Sequence, residues 1–371
     1  GEAPTESLDA QRRFIASVSH ELRTPLNGIL GLAALLAETP LSAVQADYLS
    51  AIRSSGARLL DLLNNVLDYS RLEADALVLE AVRFDPVSLA QDVAELLAPR
   101  AHAAGLDLAV VRRGPCRAVT ADEGRIRQIL FNLVGNAIKF TETGSVRIEI
   151  DQTDPLRLIA RVVDTGPGVP EEARGRLFQA FSQSLPEHAQ KGSGVGLGLA
   201  ISARLAEALG GTLSLEDETG PDRSSPTGGG AVFRFEMGMP EVPGPVSESD
   251  ADHALSGLKV ALLGLPAASH AAAEASLIAA GATVSGPEKS SRNAGPKPGV
   301  RLADASLPRQ TLKAAIAEGP PLVLLRPEDR ALIPDFAGLG ASGYLIRPIR
   351  PASLIERVQI AASGGIASHE D

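Results

Sequence analysis

The sequence predicts a multidomain protein built from a helical hairpin, then an α+β layer domain, then a doubly wound α/β domain. The chain has 371 residues, enough for two or three domains that each bury a core. The first part of the chain follows a helical period, the middle part mixes strand-like and helical runs, and the last part alternates them regularly. Regular alternation of strands and helices is typical of a parallel sheet.

The helical hairpin is expected in residues 1–76. Helical patterning runs from Leu8 to Ala37 and again from Ser42 to Leu72, and the break Glu38-Thr39-Pro40 separates the two runs. The apolar stripes consist of Phe14, Ile15, Val18, Leu22, Leu26 and Ile29 on the first helix and Leu59, Leu63 and Val66 on the second. Two helices cannot cover such stripes alone, so we expect a homodimer that forms a four-helix bundle.

The middle domain is expected in residues 77–240. Its strand-like runs are Leu106 to Val111, Ser145 to Ile150, Leu158 to Val163 and Val232 to Phe235. Its helical runs are Val87 to Ala104, Glu123 to Lys139 and Gly198 to Leu209. This mixture predicts an α+β layer domain.

A linker rich in proline, serine and acidic residues, at 241–257, separates the middle domain from the last. The last domain, 258–365, has strand runs at Leu258 to Gly264, Val300 to Ala303, Leu322 to Leu325 and Tyr344 to Ile346. Its helical runs are Ser269 to Ala280, Gln310 to Glu318 and Pro351 to Ala362, and residues 366–371 begin a C-terminal linker. This order predicts a doubly wound parallel sheet.

Composition excludes several classes of partner. The net charge of −10 repels phosphate backbones, so we expect no nucleic-acid polymer as a partner. No apolar run is long enough to span a bilayer, so we expect no membrane contact in this segment. Cys116 is the single cysteine, which excludes an intramolecular disulfide and fits the reducing cytoplasm.

His20 is the first candidate for chemistry. At about 100° per residue it lies about 170° from the centre of the apolar stripe, so it faces water. Glu21 can hold or deprotonate one ring nitrogen and leave the other nucleophilic, and Thr24, one turn on, can orient a water molecule. A solvated surface histidine is the alternative that these neighbours argue against.

The run Ser19-His20-Glu21-Leu22-Arg23-Thr24-Pro25-Leu26 resembles the phosphoacceptor box of sensor histidine kinases, residue for residue. The resemblance implies that His20 is phosphorylated on a ring nitrogen and that Glu21 is the general base. It also implies that Thr24 supports the reverse phosphatase reaction.

Asn132, Asn136 and Lys139 project from one face of a predicted helix, because their spacings are four and three. Amide oxygens, here chiefly Asn136, suit Mg²⁺, which keeps waters and nucleotide phosphates as its other ligands. Lys139 supplies a point charge for those phosphates. The alternative is a polar surface stripe.

Asp164 follows an apolar strand and precedes Gly166 and Gly168. A carboxylate there can accept a hydrogen bond from the exocyclic amine of adenine, and the glycines allow the base to approach. A plain turn is the alternative. Farther on, Gly194, Gly196 and Gly198 form a lid that leads into a helix, with spacing that fits neither a dinucleotide nor a P-loop motif.

The run from Asn132 to Phe140 resembles the N box of the histidine kinase ATP domain, and the two glycine segments resemble its G boxes. Phe178 and Phe181 stand in the place of its F box, and Val195 departs from the threonine that is commoner there. The resemblance covers about residues 8 to 238. It implies ATP and Mg²⁺ as cofactors and the Bergerat ATP-binding sandwich as the fold of the middle domain.

The last domain resembles a response-regulator receiver in which the chemistry is degenerate. Asp304 follows a strand, as the phosphoacceptor does, but Leu263-Gly264-Leu265-Pro266 offers neither acidic residue that would hold Mg²⁺. Arg347 before Pro348 replaces the usual lysine, and Arg326 replaces the usual threonine or serine. The domain is therefore interpreted as a pseudoreceiver.

Four arginines are expected to converge outside the carboxyl ends of two strands, where open α/β sheets bind ligands. They are Arg326, Arg330, Arg347 and Arg350, and Tyr344 and Pro348 offer flat surface beside them. An anionic ligand is one interpretation, and resemblance to hybrid kinases of the cyclic di-GMP-responsive kind suggests that nucleotide. The alternative is that Arg347 only pairs with Asp304 and the others are solvated.

Together these patterns predict the core of a hybrid sensor histidine kinase of a two-component phosphorelay. It would phosphorylate His20 from ATP and pass the phosphoryl group to an aspartate of a receiver, either downstream on the same protein or on a separate response regulator. The pseudoreceiver would be autoinhibitory. Two alternatives are a kinase whose working direction is phosphatase and a non-catalytic pseudokinase scaffold.

Overall fold

The computed structural model describes residues 24–72, 78–182, 196–216, 230–239, 254–285, 299–317 and 321–365. The chain forms two compact units: residues 1–79 with 171–208, and residues 80–170 with 209–371. This division differs from the predicted one. Residues 171–208 group with the helical hairpin, and the last domain shares a unit with most of the middle domain.

The helical hairpin is present in the described part of the first unit. Helix α1 covers 24–37 and helix α2 covers Ala43–Leu72, separated by the predicted break. Ser42 begins α2 with a reciprocal capping pair: its Oγ accepts from the Gln45 N–H at 3.3 Å, and Gln45 Oε1 accepts from the Ser42 N–H at 2.9 Å. Ile29 and Leu59, both on the predicted stripes, are more than half exposed.

The middle domain is built on a five-stranded mixed sheet of order β2-β4-β5-β7-β6. Its strands are β2 (Asp107–Arg113), β4 (Ser145–Asp151), β5 (Arg157–Asp164), β6 (Gly211–Glu216) and β7 (Ala231–Gly238). Strands β2 and β4 are parallel, and the other pairs are antiparallel. A separate two-stranded ribbon pairs β1 (Val82–Phe84) with β3 (Val119–Ala121).

Two long helices, α3 (Pro86–Ala103) and α4 (Glu123–Phe140), pack against this sheet. Leu133 and Ile148, one from a helix and one from a strand, are fully buried between the layers. Two further helices of the chain, α5 (Glu171–Arg174) and α6 (Gly198–Ala208), belong to the unit of the hairpin, where α6 contacts α2. The predicted α+β layers are therefore present.

The last domain contains a five-stranded sheet of order β12-β11-β10-β8-β9, in which every pair is parallel. The strands are β8 (Lys259–Leu263), β9 (Thr283–Ser285), β10 (Val300–Asp304), β11 (Leu322–Leu325) and β12 (Gly343–Ile346). The helices are α7 (Ala267–Ala279), α8 (Arg309–Ala317), α9 (Ile333–Gly338) and α10 (Pro351–Ala362), with a 3-10 helix at Pro327–Leu332. This is the flavodoxin-like strand order.

The predicted linker is too long at its C-terminal end. Leu255 is fully buried in the core of the last domain, and its N–H donates to Ala280 O at 2.9 Å. Leu255 was assigned to the linker because the average composition of this run is polar and rich in helix- and strand-breaking residues, and a single leucine hardly changes that average. Residues 240–253 lie outside the described part of the chain, as do residues 286–298. We refer to residues 254–365 as the receiver-like domain.

Within the residues that the structure describes, the helices are all too short or too polar to cross a membrane.

Candidate nucleotide site and regulatory interface

Helix α4 carries the predicted polar stripe. Asn132, Asn136 and Lys139 are each half-buried, while the opposite face of the helix is buried in the core. Asp122 fixes the start of α4, because its carboxylate accepts from the N–H groups of Arg125 and Glu80, each at 3.0 Å. The helix is thus anchored at its N-terminus and along its apolar face, so the stripe has a defined position.

Lys139 ends the stripe in a partly desolvated setting. Burial lowers the pKa of its ammonium, and the charge of Arg100 acts in the same direction. Its Nζ lies 4.9 Å from the centroid of the Phe140 ring. The charges of Lys139 and Arg100 repel each other, so an anion such as phosphate bound between them would stabilise the charged form of Lys139.

Asp164 ends strand β5 with a buried side chain, 8% exposed. Its Oδ1 accepts from Gly166 N at 2.9 Å and from Ala231 N at 3.3 Å. Two backbone donors hold the carboxylate in one orientation, which is the preorganisation that recognition of a single amine needs.

Gly166 and Gly168 are required by packing as well as by any ligand. A Cβ on Gly166 would lie 2.9 Å from Asp164 Oδ1 and 3.2 Å from Thr141 Oγ1, so Gly166 sits against the end of α4. Gly168 has a φ of +76°, and its Cβ would lie 3.0 Å from Gly230 O. The structure thus places the Asp164 turn against the C-terminal end of α4, the end at which the stripe finishes with Lys139.

The aromatic and glycine residues of the lid belong to the other unit. Phe178 is half-buried, and Phe181 is 65% exposed with a φ of 62°. The Phe181 N–H donates to Gly196 O at 3.1 Å, and a Cβ on Gly196 would lie 2.7 Å from Ser182 O. Gly198 begins α6. Gly194 lies outside the described residues.

The phosphoacceptor box is described only in part. Thr24 is exposed in helix α1. His20 and Glu21 lie outside the described residues, so their predicted orientation stays a prediction.

Asp304 ends strand β10 and is fully buried. Its carboxylate accepts from Ser306 N at 2.9 Å, from Ser306 Oγ at 2.5 Å and from Arg347 Nη2 at 2.9 Å. After β8, where a working receiver needs acids, Gly264 has a φ of +66° and packs on Leu307, which would meet a Cβ at 2.4 Å. Among the described residues, no group of three or more His, Cys, Asp or Glu side chains is placed to hold a metal ion.

The predicted convergence of four arginines on an open site is wrong. Arg347 is 8% exposed and pairs with Asp304, as the alternative interpretation held, and also with Asp107 of strand β2 at 3.6 Å. Arg326 pairs with Asp329 at 2.9 Å, and Arg350 forms a two-pronged pair with Glu95 of α3. Of the four, only Arg330 has no side-chain ion pair or hydrogen bond among the described residues, and it is exposed.

The two flat groups expected beside the arginines are also engaged. Arg357 lies over the Tyr344 ring, 5.6 Å from its centroid. Pro348 is buried, and its carbonyl accepts from Gln91 Nε2 at 3.4 Å. The arginines and the two flat groups are engaged because two domains pack against each other here. The sequence alone did not indicate that these two surfaces are in contact.

Helix α3 and strand β2 of the middle domain contact α7 and the end of β12 of the receiver-like domain. We name this contact the regulatory interface, after the role proposed for it below. Its apolar part consists of Ala109 and Val111 on β2 and Ala268 and Ala272 on α7, all at most 1% exposed. Small side chains allow the helix to lie close to the strand. The next face of α7 carries Leu277 into the core of its own domain, so the helix is buried on two sides.

The polar part of the interface depends on residues that sequence reasoning missed. Asp107 accepts from Ser269 N at 2.8 Å and Ser269 Oγ at 2.6 Å, in addition to its pair with Arg347. The available signal was an acid at the start of an otherwise apolar strand. That signal shows that Asp107 needs partners but does not say from which domain they come.

The domain combines an amide stripe on one helix, a buried aspartate at a strand end and glycine turns, and it carries them on a mixed sheet with helices on one face. This combination defines a class of ATPases. Residues 121–241 match the model of the histidine kinase-, DNA gyrase B- and HSP90-like ATPases. Residues 10–75 match the His Kinase A phospho-acceptor domain.

The crystal structure of full-length ShkA in complex with AMPPNP is similar to this chain, with 40% identity and a TM-score of 0.78 over 97% of this chain and 73% of that one. BarA of Escherichia coli K12 is 37% identical over 69% of this chain, and GacS of Pseudomonas syringae is 40% identical over 70%. The chain belongs to the sensor histidine kinase family, the ATP-dependent protein-histidine kinases of two-component signalling. It spans 28% and 29% of the lengths of BarA and GacS.

Proposed function

We propose that this chain transfers the γ-phosphoryl group of ATP to a ring nitrogen of His20 and then to an aspartate of a receiver. The observation that carries the proposal is the preorganised Asp164 carboxylate beside the Asn132, Asn136 and Lys139 stripe. These groups offer an adenine acceptor and a phosphate-binding face on one domain. A pseudokinase scaffold has no need to keep Asp164 held by two backbone donors.

The side chains present fit Mg²⁺. Asn136, with Asn132 beside it, provides half-buried amide oxygens, and hard oxygen ligands suit this ion. When bound, Mg²⁺ neutralises charge on the nucleotide phosphates. Lys139 adds a cation on the same face, where partial burial lowers its pKa.

Glu21 is proposed to take the proton from His20 as the ring nitrogen attacks the γ-phosphorus, and the bond to the β-phosphate oxygen breaks. Thr24, exposed one turn on, is proposed to orient water for the reverse dephosphorylation of the receiver. A chain that works mainly as a receiver phosphatase is the second candidate function. The exposed Ile29 and Leu59 favour a homodimer that covers them.

Replacing Asp164 by Asn should weaken ATP binding about tenfold to a hundredfold, because a charged acceptor for the adenine amine is lost. Asn136→Ala should instead remove the Mg²⁺ dependence of binding. Titration with a fluorescent ATP analogue, with and without Mg²⁺, separates the two effects. Asp154→Asn, an exposed acid on a turn of the same domain, is the control. Unchanged affinity in both variants would place the nucleotide elsewhere.

The receiver-like domain is proposed to be an autoinhibitory pseudoreceiver. Buried Asp304, paired with Arg347, has no path for a phosphoryl donor. The regulatory interface ties the domain to the ATP-binding domain through two ion-pair sites and an apolar face. Docking at this interface is proposed to restrict the motion that brings ATP to His20.

A cyclic di-GMP ligand, suggested by the resemblance to hybrid kinases, is proposed to favour the released domain. In the docked state Arg350 holds Glu95 and Arg347 holds Asp107, both carboxylates of the ATP-binding domain. Release therefore frees Arg350 and leaves Arg347 with Asp304 as its remaining carboxylate partner. A ligand shifts this equilibrium by its difference in affinity for the two states. Arg330, which is already unpaired within the described chain, would make the first contact.

Arg330→Ala should weaken cyclic di-GMP binding about tenfold to a hundredfold, since a hydrogen bond to a charged group is worth about 1.5 to 3 kcal/mol. Calorimetry on the full chain measures this. Arg309→Ala removes another exposed arginine of the same domain and should leave binding unchanged. Absence of binding heat with every cyclic dinucleotide would end the ligand proposal and leave Arg330 a solvated surface residue.

A further inference from the structure

His102 lies in the regulatory interface without a role in the proposed chemistry. It occupies the last turn of α3, and its side chain is only 5% exposed. Neither ring nitrogen has a hydrogen-bond partner in the part of the chain that the structure describes. A buried imidazole without partners is costly and is uncommon in native proteins.

Charged groups surround His102 from both domains. From the receiver-like domain come Glu328, with a carboxylate oxygen 3.8 Å from Nδ1, together with Arg326 and Arg347. From the ATP-binding domain comes Asp107 at the start of β2. Asp107 is already engaged by Ser269 and Arg347, so it offers His102 little.

Two more polar atoms of the interface have no partner among the described residues. They are Gln91 Oε1 and Arg347 Nε, both on buried side chains of the same interface. Each such atom costs about 1 to 3 kcal/mol relative to hydration. These buried polar groups oppose docking, because water would hydrogen-bond to them after release. A modest additional free-energy cost in the docked state can therefore shift the equilibrium toward release.

We propose that His102 is a proton-sensitive latch: it is neutral while the receiver-like domain is docked, and its protonation releases that domain. The nearest carboxylate, that of Glu328, lies 3.8 Å from Nδ1, beyond hydrogen-bond distance, so the docked imidazolium lacks a hydrogen-bond acceptor, whereas the released α3 exposes it to water. The effect of the latch on kinase activity rests on the proposed autoinhibition. Its effect on docking of the receiver-like domain does not.

The direction of the pH dependence follows from linkage. Burial lowers the pKa of docked His102 below its ordinary value of 6.5; Glu328 and Asp107 act against this, and Arg347 and Arg326 act with it. The released state therefore binds the proton more tightly, so docking is stable above pH 6.5 and weakens as the pH falls below that value. Between pH 7.5 and 5.5 the release equilibrium can rise by at most about tenfold.

Thiol labelling measures release directly in the full chain. Val111 is buried on β2 at the interface, and Val111→Cys in a Cys116→Ser background provides a thiol of similar size that reacts on release. At each pH, the labelling rate is divided by that of the same chain with His102→Gln, which removes the intrinsic pH dependence of the thiol. We expect this ratio to rise up to about tenfold from pH 7.5 to 5.5.

The control is His270→Gln, which removes the other histidine of the described residues, on α7 and paired with Glu274. The rise should persist in that variant. Glu328→Gln should enlarge the rise, because Glu328 opposes the lowered pKa. His102→Gln cannot serve as the reference if its thiol is labelled rapidly at both pH 7.5 and pH 5.5. In that case the acid-induced rise in labelling rate is compared between Glu328→Gln and the parent chain, and an equal rise in the two contradicts the latch.

A ratio that stays flat with pH also overturns the proposal. Phosphorylation of His20 measured on the same samples separates the two ideas. Labelling that rises with acid while phosphorylation does not would contradict autoinhibition and leave the latch intact.

Discussion

Replacing Arg347 by Met should release the receiver-like domain and raise phosphorylation of His20 in the full chain by tenfold or more. Arg347 pairs with Asp304 and Asp107, and all three side chains are at least nine-tenths buried. Removing one partner of a buried ion pair typically costs about 3 to 5 kcal/mol, because an uncompensated charge remains. Asp107 becomes hydrated when the domain is released, so the part of this cost that arises from Asp107 destabilises only the docked state and favours release.

Two variants distinguish this effect from general damage. Arg350→Met removes an arginine that is 55% exposed and pairs with Glu95, so it should change phosphorylation only a few-fold. Adding Asp107→Asn to Arg347→Met should return labelling at Val111→Cys toward the parent, because the uncompensated charge is gone. If Arg347→Met leaves both readouts at the parent level, the ion pair does not hold the interface.

Replacing His20 by Ala should abolish acid-labile, alkali-stable phosphorylation while leaving ATP binding unchanged. The nucleophile is lost completely, and the nucleotide groups Asn136 and Asp164 are on another domain. Incubation with labelled ATP, followed by acid and alkali treatment, identifies phosphohistidine.

The matched control is His270→Ala, which removes a partly exposed histidine of the receiver-like domain. It should phosphorylate as the parent does. Persistence of alkali-stable label in His20→Ala would show that another histidine accepts the phosphoryl group and would overturn the assignment.

The regular elements were largely predictable because their signals are local. The strand Leu322–Leu325 and the helix Pro351–Ala362 have the predicted bounds, since an apolar run and a proline at N1 mark their ends. Strand β9 and the 3-10 helix at Pro327–Leu332 were not predicted, because three residues and a single irregular turn carry no measurable period.

The positions of the residues proposed to bind the nucleotide were predictable for the same reason, because spacing along one helix and a place at one strand end are local signals. The regulatory interface was not. Arg347 is equally compatible with a ligand, with Asp304 alone or with a second domain. The choice depends on long-range packing of α7 on β2, which pairs residues more than 150 positions apart, such as Asp107 and Ser269.

The buried pairing of Asp304 also bears on how a signal is kept from the wrong recipient. A receiver on the same polypeptide as its kinase meets the phosphohistidine far more often than a freely diffusing one, because short tethers give local concentrations in the millimolar range. With an accessible aspartate, such a domain would absorb most phosphoryl groups. Because Arg347 and Ser306 occupy the Asp304 carboxylate, the transfer proposed above would bypass the tethered domain, and a phosphohistidine formed at His20 would persist until it met its intended acceptor.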